Sequence, residues 1–330
     1  MQAKNQKIVV LGTGGTIAGE SSSENESLTY QAAQRSIGDL LKSVSGQTKQ
    51  LPASLQHFEI EAKQVAQIDS KDMDFELWRR LAIRCSDDLS RDEVKAVVIT
   101  HGTDTLEETA YFLSQVIHID KPIVLTCAMR PANFKDADGP QNLRDALNFA
   151  TLVRGRGVWL VAAGEIHHSQ YVQKVHPTRL NAFDSGEWGA AAAIHEDQVK
   201  WLRSFEKNDP QLGSDRILKA IDLPEVAQWP WVEIIINHVE SNGRAVALLV
   251  KAGVQGIVVA GTGNGSMSAS LKDGILNAKA HGVKVYVASR CNQGPVLPTE
   301  NHVFKTAGEL NAVKTRVALI LDLMSKQESD

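Results

Sequence analysis

Residues 7–19 read KIVVLGTGGTIAG, an apolar run that breaks into glycines alternating with threonines. The run at 7–11 has the length of a buried strand and is too short for a helix. Residues 12–15 then read as a sharp turn that delivers Thr16 to the carboxyl end of that strand. In an open parallel sheet ligands sit at this end, and glycine lets backbone N–H groups come close to a bound group. Three readings of the loop stay open here: a tight turn in a large α/β protein, a phosphate cradle, or a nucleophilic hydroxyl on a glycine turn. The loop lacks the Lys-Ser/Thr ending of a P-loop and the G-x-G-x-x-G spacing, which weakens the second. The third needs a base and oxyanion donors from elsewhere in the chain.

Downstream, residues 20–29 (ESSSENESLT) are polar, aperiodic and followed by Tyr30. Beside a sheet edge this reads as a lid or as a plain surface loop. A phenol on such a loop would be placed to close over Thr16 and relay its proton. Phe58–Ile68 reads as a strand, followed by the polar cluster at 69–72 and a helical pattern through Phe75, Leu77, Trp78 and Leu81. Ser70 or Asp72 would cap that helix, and the same terminus would hold a carboxylate. Val94–Thr100 repeats the opening arrangement, ending in His101, Gly102, Thr103 and Asp104 at the switch into a helix. Asp104 fits a helix cap, or a carboxylate that binds an ammonium or supports a basic partner. Residues 122–127 and Gly157–Ala162 are further buried strands, with a helix over 141–153 between them. This alternation predicts an α/β fold built on a mostly parallel sheet with helices on both faces.

Residues 164–183 lose periodicity and read as an extended hairpin or arm. His167, His168 and His176 lie within it, but their spacing fits no zinc motif, so they read as packing or solvated side chains. Lys174 is either a solvated charge or, in a dry site, a base. Residues 195–230 have linker composition, which divides the chain into an N-terminal domain over 1–195, a linker over 196–230 and a smaller C-terminal α/β domain over 231–330. In the last part, strands near 231–237, 256–260 and 283–289 alternate with helices, and residues 261–266 (GTGNGS) form another glycine-rich strand end.

With 330 residues, 43% hydrophobic and 22% charged, the chain has room for two domains and a sizeable core. A net charge of −4 gives no footprint for nucleic acid or an anionic membrane, which leaves a small-molecule substrate. No apolar run approaches the roughly 18 residues of a membrane span. The polar start MQAKNQK leads into the first strand without a signal-peptide core, so the expected location is the cytoplasm, or the periplasm if a leader has been removed. Cys85, Cys127 and Cys291 are scattered and odd in number, suggesting neither a disulfide framework nor a metal site.

Four blocks occur in order: GTGGTIAG from Gly12, ITHGTDTLEETAYF from Ile99, CAMRPANFKDADGPQNL from Cys127 and VVAGTGNGS from Val258. Together they resemble the bacterial-type L-asparaginase and glutaminase-asparaginase family across nearly the whole chain. The resemblance implies a larger N-terminal and a smaller C-terminal α/β domain, assembled as a homotetramer of intimate dimers that complete each other's sites, with no metal or organic cofactor. It implies Thr16 as nucleophile, Tyr30 as its lid-borne partner, and Thr103, Lys174 and Asp104 as a second group with the lysine as basic centre. The immediate base for Thr16 stays open between Tyr30 and the lysine group. For the substrate, the resemblance assigns the α-carboxylate to Ser70 and N–H groups near Gly102, the α-ammonium to Asp104, and the side-chain amide to the Ala128 carbonyl. Asn264 and Glu300 would reach the site of a partner subunit.

Lys71 stands where many relatives carry Gln. A cation there would repel the substrate ammonium unless it turns to the carboxylate or to solvent, or unless the substrate preference has changed. The cysteine pair of several exported relatives is replaced by Arg91 and Ile119, in accord with a reducing compartment. The implied reaction is hydrolysis of L-asparagine to L-aspartate and ammonia through an acyl-threonine. A glutaminase-leaning amidohydrolase and a non-enzymatic amino-acid-binding protein are the alternatives.

Overall fold

In the computed structural model, which describes residues 6–25, 29–45, 52–203, 218–300 and 303–327, the opening run forms strand β1 (Gln6–Gly14). Its residues Ile8, Val9, Val10 and Leu11 are fully buried. The strand runs past Gly12, so the turn expected to begin there begins at Gly14 (φ 103°) and Gly15 (φ 81°). Gly12 pairs with Gln64 on one side and Thr100 on the other. A Cβ at that position would lie 2.8 Å from the Ile37 Cβ, so this glycine serves close packing inside the strand.

The described residues through 203 belong to the first of two compact units. After β1 come β2 (Glu20–Ser21), β3 (Tyr30–Gln31), α1 (Ile37–Ser45), β4 (Phe58–Ile68), α2 (Phe75–Ser90), β5 (Val94–Thr100), α3 (Leu106–Val116), β6 (Pro122–Thr126), α4 (Gly139–Leu152) and β7 (Gly157–Ala162). The chain then reverses through β8 (Glu165–His168), makes a short ribbon of β9 (Gln173–Lys174) and β10 (Phe183–Asp184), and adds β11 (Ala192–His195) and β12 (Gln198–Trp201). Eight strands form one sheet in the order β12-β11-β8-β7-β6-β5-β1-β4. The pairs from β4 to β7 are parallel, and those from β7 to β12 are antiparallel.

Every residue of β6 and β7 is buried, as expected where helices cover both faces of parallel strands. Leu143, Leu147 and Phe149 of α4 pack with Ile8, Val10, Ala96, Val98 and Val124 in one core. Trp78 of α2 stacks on Phe112 of α3 with ring centroids 4.9 Å apart, and its indole N–H donates to the Thr109 hydroxyl at 2.9 Å. The chain leaves β1 for β4 on one side and β5 lies on the other. The carboxyl ends of β1 and β5 therefore flank the topological switch point, where open α/β sheets bind ligands.

Three expectations are corrected here. The cap of α2 is Asp74, whose carboxylate accepts from the Leu77 N–H at 2.8 Å, while Asp69 caps the single turn Ser70–Asp72. Neither Ser70 nor Asp72 is needed as a helix cap. The stretch 196–230 expected as a linker begins with β12, because Trp201 packs its ring against Phe149 and Trp159 at 5.8 and 5.7 Å; residues 204–217 lie outside the described residues. The arm at 164–183 is divided, since β8 joins the main sheet and β9 pairs apart from it with β10.

The histidines of that arm are packing and loop residues. His167 shares a 3.0 Å hydrogen bond with Ser185, His168 sits edge-on to Trp159, and the His176 ring accepts from the N–H groups of Thr178 and Arg179.

The second unit holds the residues from 222 onward. Its strands β13 (Val232–Ile236), β14 (Gly256–Gly261), β15 (Lys284–Ser289) and β16 (Lys305–Thr306) form a parallel sheet in that order. Helices α5 (Arg244–Lys251), α6 (Ala269–Ala280) and α7 (Ala312–Gln327) pack with it. Val246, Ile257, Val259, Leu271, Ile275 and Val285 make one core. Among the described residues no helix is long and apolar enough to cross a membrane.

Candidate active site

Three loops at the carboxyl end of the large sheet interlock through glycine. The Thr13 hydroxyl donates to the Thr100 carbonyl at 2.9 Å, and the Gly15 N–H donates to the Ile68 carbonyl at 2.8 Å. A Cβ on Gly15 would lie 2.4 Å from the Gly102 Cα, and one on Gly102 would lie 2.5 Å from the Ser70 Oγ. No side chain fits at either position, so the loops after β1 and β5 meet backbone to backbone, and the Ser70 side chain of the loop after β4 packs directly on Gly102. Thr16, Ser70 and Thr103 consequently share one corner of the sheet.

Thr16 opens a single 3-10 turn and is 6% exposed. Its Oγ1 lies 2.6 Å from the Tyr30 hydroxyl, with either oxygen able to donate. Tyr30 arrives on the two-stranded ribbon β2–β3, in which it stands opposite Ser21. Gly19 makes room for its ring, since a Cβ there would lie 2.9 Å from the Tyr30 Cδ2. The ribbon was not visible in the sequence, where 20–29 shows only polarity, and residues 26–28 of that stretch lie outside the described residues.

On the adjacent loop, the Lys174 ammonium donates to the Thr103 Oγ1 at 2.8 Å and to the Asp104 Oδ1 at 2.6 Å. Lys174 comes from the second short ribbon, β9–β10, and its side chain is 17% exposed against 51% for Asp104. The lysine thus lies along the protein with its charge paired, while the outer face of Asp104 meets solvent. Ser70 is buried; its Oγ accepts the Asp104 N–H at 3.1 Å, and its carbonyl accepts the Thr105 hydroxyl at 2.8 Å. Lys71 turns away to Asp69 at 2.6 Å and is largely exposed. The hydrogen bond to Asp69 holds the Lys71 pKa above the usual lysine range. Lys71 thus points to the solvent edge, one of the outcomes left open for it, and there it finds a partner, Asp69, that the sequence reading did not name.

Ala128 follows β6 and is buried. Its loop is shaped by Asp138, whose carboxylate accepts the N–H groups of Met129 and Arg130 at 2.9 and 3.0 Å. Burial pushes the Asp138 carboxyl above its usual range despite those two bonds. The Asn142 amide donates to the Cys127 carbonyl at 3.0 Å, and Gly139 fits between Ile17 and Ala128. Sequence reasoning did not single out Asp138 or Asn142. The Asp-Gly-Pro turn was a visible signal, but the groups it serves lie upstream.

His101 is fully buried, with Nδ1 2.7 Å from the Gly102 carbonyl oxygen and Nε2 without a partner among the described residues. Burial pushes its pKa down to about 4, so the imidazole is neutral at neutral pH. Cys127 is buried and its thiol is pushed up by the same cause. Asn264 and Glu300 belong to the second unit. Asn264 holds Leu297 in both directions, donating to its carbonyl at 2.9 Å and accepting its N–H at 2.8 Å, while Glu300 is exposed. Thr16, Tyr30, Ser70, Thr103, Asp104 and Lys174 are therefore brought together within one unit, and Asn264 and Glu300 are not among them.

Known proteins resemble this chain over nearly its whole length. The family model described as asparaginase, N-terminal, matches residues 7–207, and the glutaminase/asparaginase C-terminal domain matches 231–330. A glutaminase-asparaginase of Pseudomonas fluorescens biotype A is 34% identical over 336 aligned residues, covering 99% of this chain and 89% of that protein. L-asparaginase 2 of Bacillus subtilis (strain 168) is 33% identical over 321 residues, covering 96% and 82%. The crystal structure of a probable cytoplasmic L-asparaginase from Campylobacter jejuni matches with a TM-score of 0.85 at 34% identity, covering 97% of this chain and 95% of that one. Two domain matches in order and full-length relatives above 30% identity lead to one conclusion: the chain belongs to the asparaginase family.

Proposed function

We propose that the chain hydrolyses the side-chain amide of L-asparagine to L-aspartate and ammonia, with Thr16 as nucleophile. The observation that carries this reading is the 2.6 Å pair of Thr16 and Tyr30 in the same corner as Thr103, Lys174 and Asp104. A threonine hydroxyl is a weak nucleophile at its free pKa and needs a neighbour to take its proton. Tyr30 is in place to do so. As the Thr16 oxygen bonds to the carboxamide carbon, its proton passes through the phenol to the amide nitrogen, the C–N bond breaks, and ammonia leaves. Water then adds to the ester, its proton passing through the Thr103 hydroxyl to Lys174 in its neutral amine form, and the bond from carbon to Thr16 breaks as that proton returns to the Thr16 oxygen.

For binding, Ser70 and the backbone at Gly102 face the α-carboxylate. Asp104, with one oxygen on Lys174 and the other outward, takes the α-ammonium, and the Ala128 carbonyl faces the amide. A zwitterion needs both contacts, because leaving either buried charge unpaired costs several kcal/mol. L-glutamine is the second reading. It is favoured by the names of the relatives, which cover both L-asparaginases and glutaminase-asparaginases. The neighbouring subunit's Asn264 and Glu300 complete each site in a homotetramer. The buried free thiols of Cys85 and Cys127 accord with a cytoplasmic location.

The deciding experiment is ammonia release from L-asparagine and L-glutamine by the parent protein and by Thr16→Ala at matched folding. The variant is expected to lose at least about 10⁴-fold in kcat. Unchanged turnover by Thr16→Ala would remove Thr16 as nucleophile. Binding of asparagine with no ammonia release by the parent protein would make it a binding protein instead.

A further inference from the structure

Asn133 lies in the loop between β6 and α4, 112 residues from Ser21, and touches none of the groups assigned above to the substrate or to proton transfer. Its carboxamide nevertheless binds the Ser21 backbone in both directions. The Ser21 N–H donates to the Asn133 Oδ1 at 2.9 Å, and the Asn133 Nδ2 donates to the Ser21 carbonyl at 2.8 Å. That is the pattern one strand residue makes with its neighbour in a ladder. Two backbone bonds flank it: Ala132 N–H to the Gly19 carbonyl at 2.8 Å and Lys135 N–H to the Glu24 carbonyl at 3.0 Å. The outer side of β2 is thus paired along its length, and the inner side pairs with β3, where Ser21 stands opposite Tyr30.

A two-residue ribbon has too few ladder bonds to hold itself in place. Its position must come from what grips it. The connections run from Asn133 to Ser21, from Ser21 to Tyr30 across the ribbon, and from the Tyr30 hydroxyl to Thr16.

We propose that Asn133 is a positioning residue for the reaction: its carboxamide acts as a third strand one residue long and sets the Tyr30 phenol on Thr16. The inference rests on the reading of Thr16 and Tyr30 as the reacting pair. Removing the amide leaves the main sheet and the Lys174 group untouched but lets the ribbon drift. Its effect should therefore fall on kcat and depend on the Tyr30 hydroxyl.

A double-mutant cycle tests this with L-asparagine as substrate. Asn133→Ala loses two hydrogen bonds, and a kcat lower by about tenfold is expected, with KM within about twofold. In a Tyr30→Phe background the same substitution is expected to cost less than about twofold more, because the group it positions is already gone. Asn133→Asp keeps the acceptor but sets a carboxylate against the Ser21 carbonyl, so its loss should match or exceed that of Asn133→Ala, and it serves the same cycle if Asn133→Ala does not fold. A kcat within twofold of the parent for both variants, or an equal fold-loss with and without the Tyr30 hydroxyl, would overturn the assignment. If Tyr30→Phe alone leaves kcat unchanged, the reading of Tyr30 falls and takes Asn133 with it. If Tyr30→Phe impairs turnover and Asn133→Ala adds its full effect, only the role of Asn133 falls.

Discussion

Thr16 and Thr103 stand at neighbouring strand ends, each 6% exposed, and each meets a partner carried on a two-stranded ribbon outside the main sheet. The partners differ in kind. Thr16 is hydrogen-bonded to a phenol at 2.6 Å, whereas Thr103 accepts from the Lys174 side chain, which also binds Asp104. A hydroxyl–hydroxyl pair can relay a proton in either direction, provided each oxygen gives one up as it takes another. A charge-assisted bond holds geometry more firmly and sets the local field. On the proposed mechanism the contrast is a division of labour: bond making at the first corner, and water activation at the second. One sheet edge can support both because Gly15 and Gly102 let the corners touch without side chains between them.

The widest separation between the corners is expected from Lys174→Met, which removes the charged centre of the second. A fall in kcat of about 10³-fold is predicted, because the amine form of Lys174 that would take the proton of the attacking water is gone; steady-state ammonia release reads it. Tyr30→Phe should cost less, about 10²-fold, because water or the lysine group can still accept the Thr16 proton. Equal losses, or the reverse order, would break the proposed division.

Gly15→Ala acts on the joint rather than on either corner. It forces a side chain into φ 81° and onto the Gly102 backbone at 2.4 Å. Strain and overlap together are expected to lower stability by at least about 3 kcal/mol, measured by urea unfolding. A variant as stable as the parent would mean that the two loops are free to separate.

The smallest effect concerns pH and belongs to the second corner alone. His101 is held at a pKa of about 4, below the usual 6.5. As pH falls between 6.5 and 4, the unfolded chain takes up a proton that the folded chain refuses, so stability drops through that window and is unaffected above it. His101→Gln is expected to flatten the fall in Tm between those pH values. An identical slope in the variant would place the acid sensitivity elsewhere.

Much of this architecture was readable from alternation alone: apolar runs such as Val94–Thr100 between helical patterns specify a parallel sheet, and the observed sheet follows. The errors lie where local chemistry has two uses. Gly12 looked like a turn, but a glycine needed for close packing inside a strand has the same signature. Ser70 looked like a helix cap, and only the structure gives that task to Asp74, freeing Ser70 to meet Asp104. Of the site, Thr16, Thr103 and Asp104 were marked by their glycine turns, Tyr30 was a phenol on a polar loop able to reach Thr16, and Lys174 stayed open between a solvated charge and a base until the family resemblance gave it a role. Asn133 gave no local signal, since its partner is distant in sequence and what it recognises is backbone. Arg91 and Ile119, expected at the places of a disulfide in exported relatives, are tied by other means: the Lys121 N–H donates to the Ile119 carbonyl and its ammonium to the Arg91 carbonyl. Composition could not reveal such a tie.

The most direct test is to ask which threonine carries the acyl group. Acid quench of the parent protein turning over L-asparagine, followed by proteolysis and mass spectrometry, should find an aspartyl ester on the peptide containing Thr16 and none on the peptide containing Thr103. An ester on Thr103, or no ester on either peptide in a quench that captures active turnover, would contradict the account.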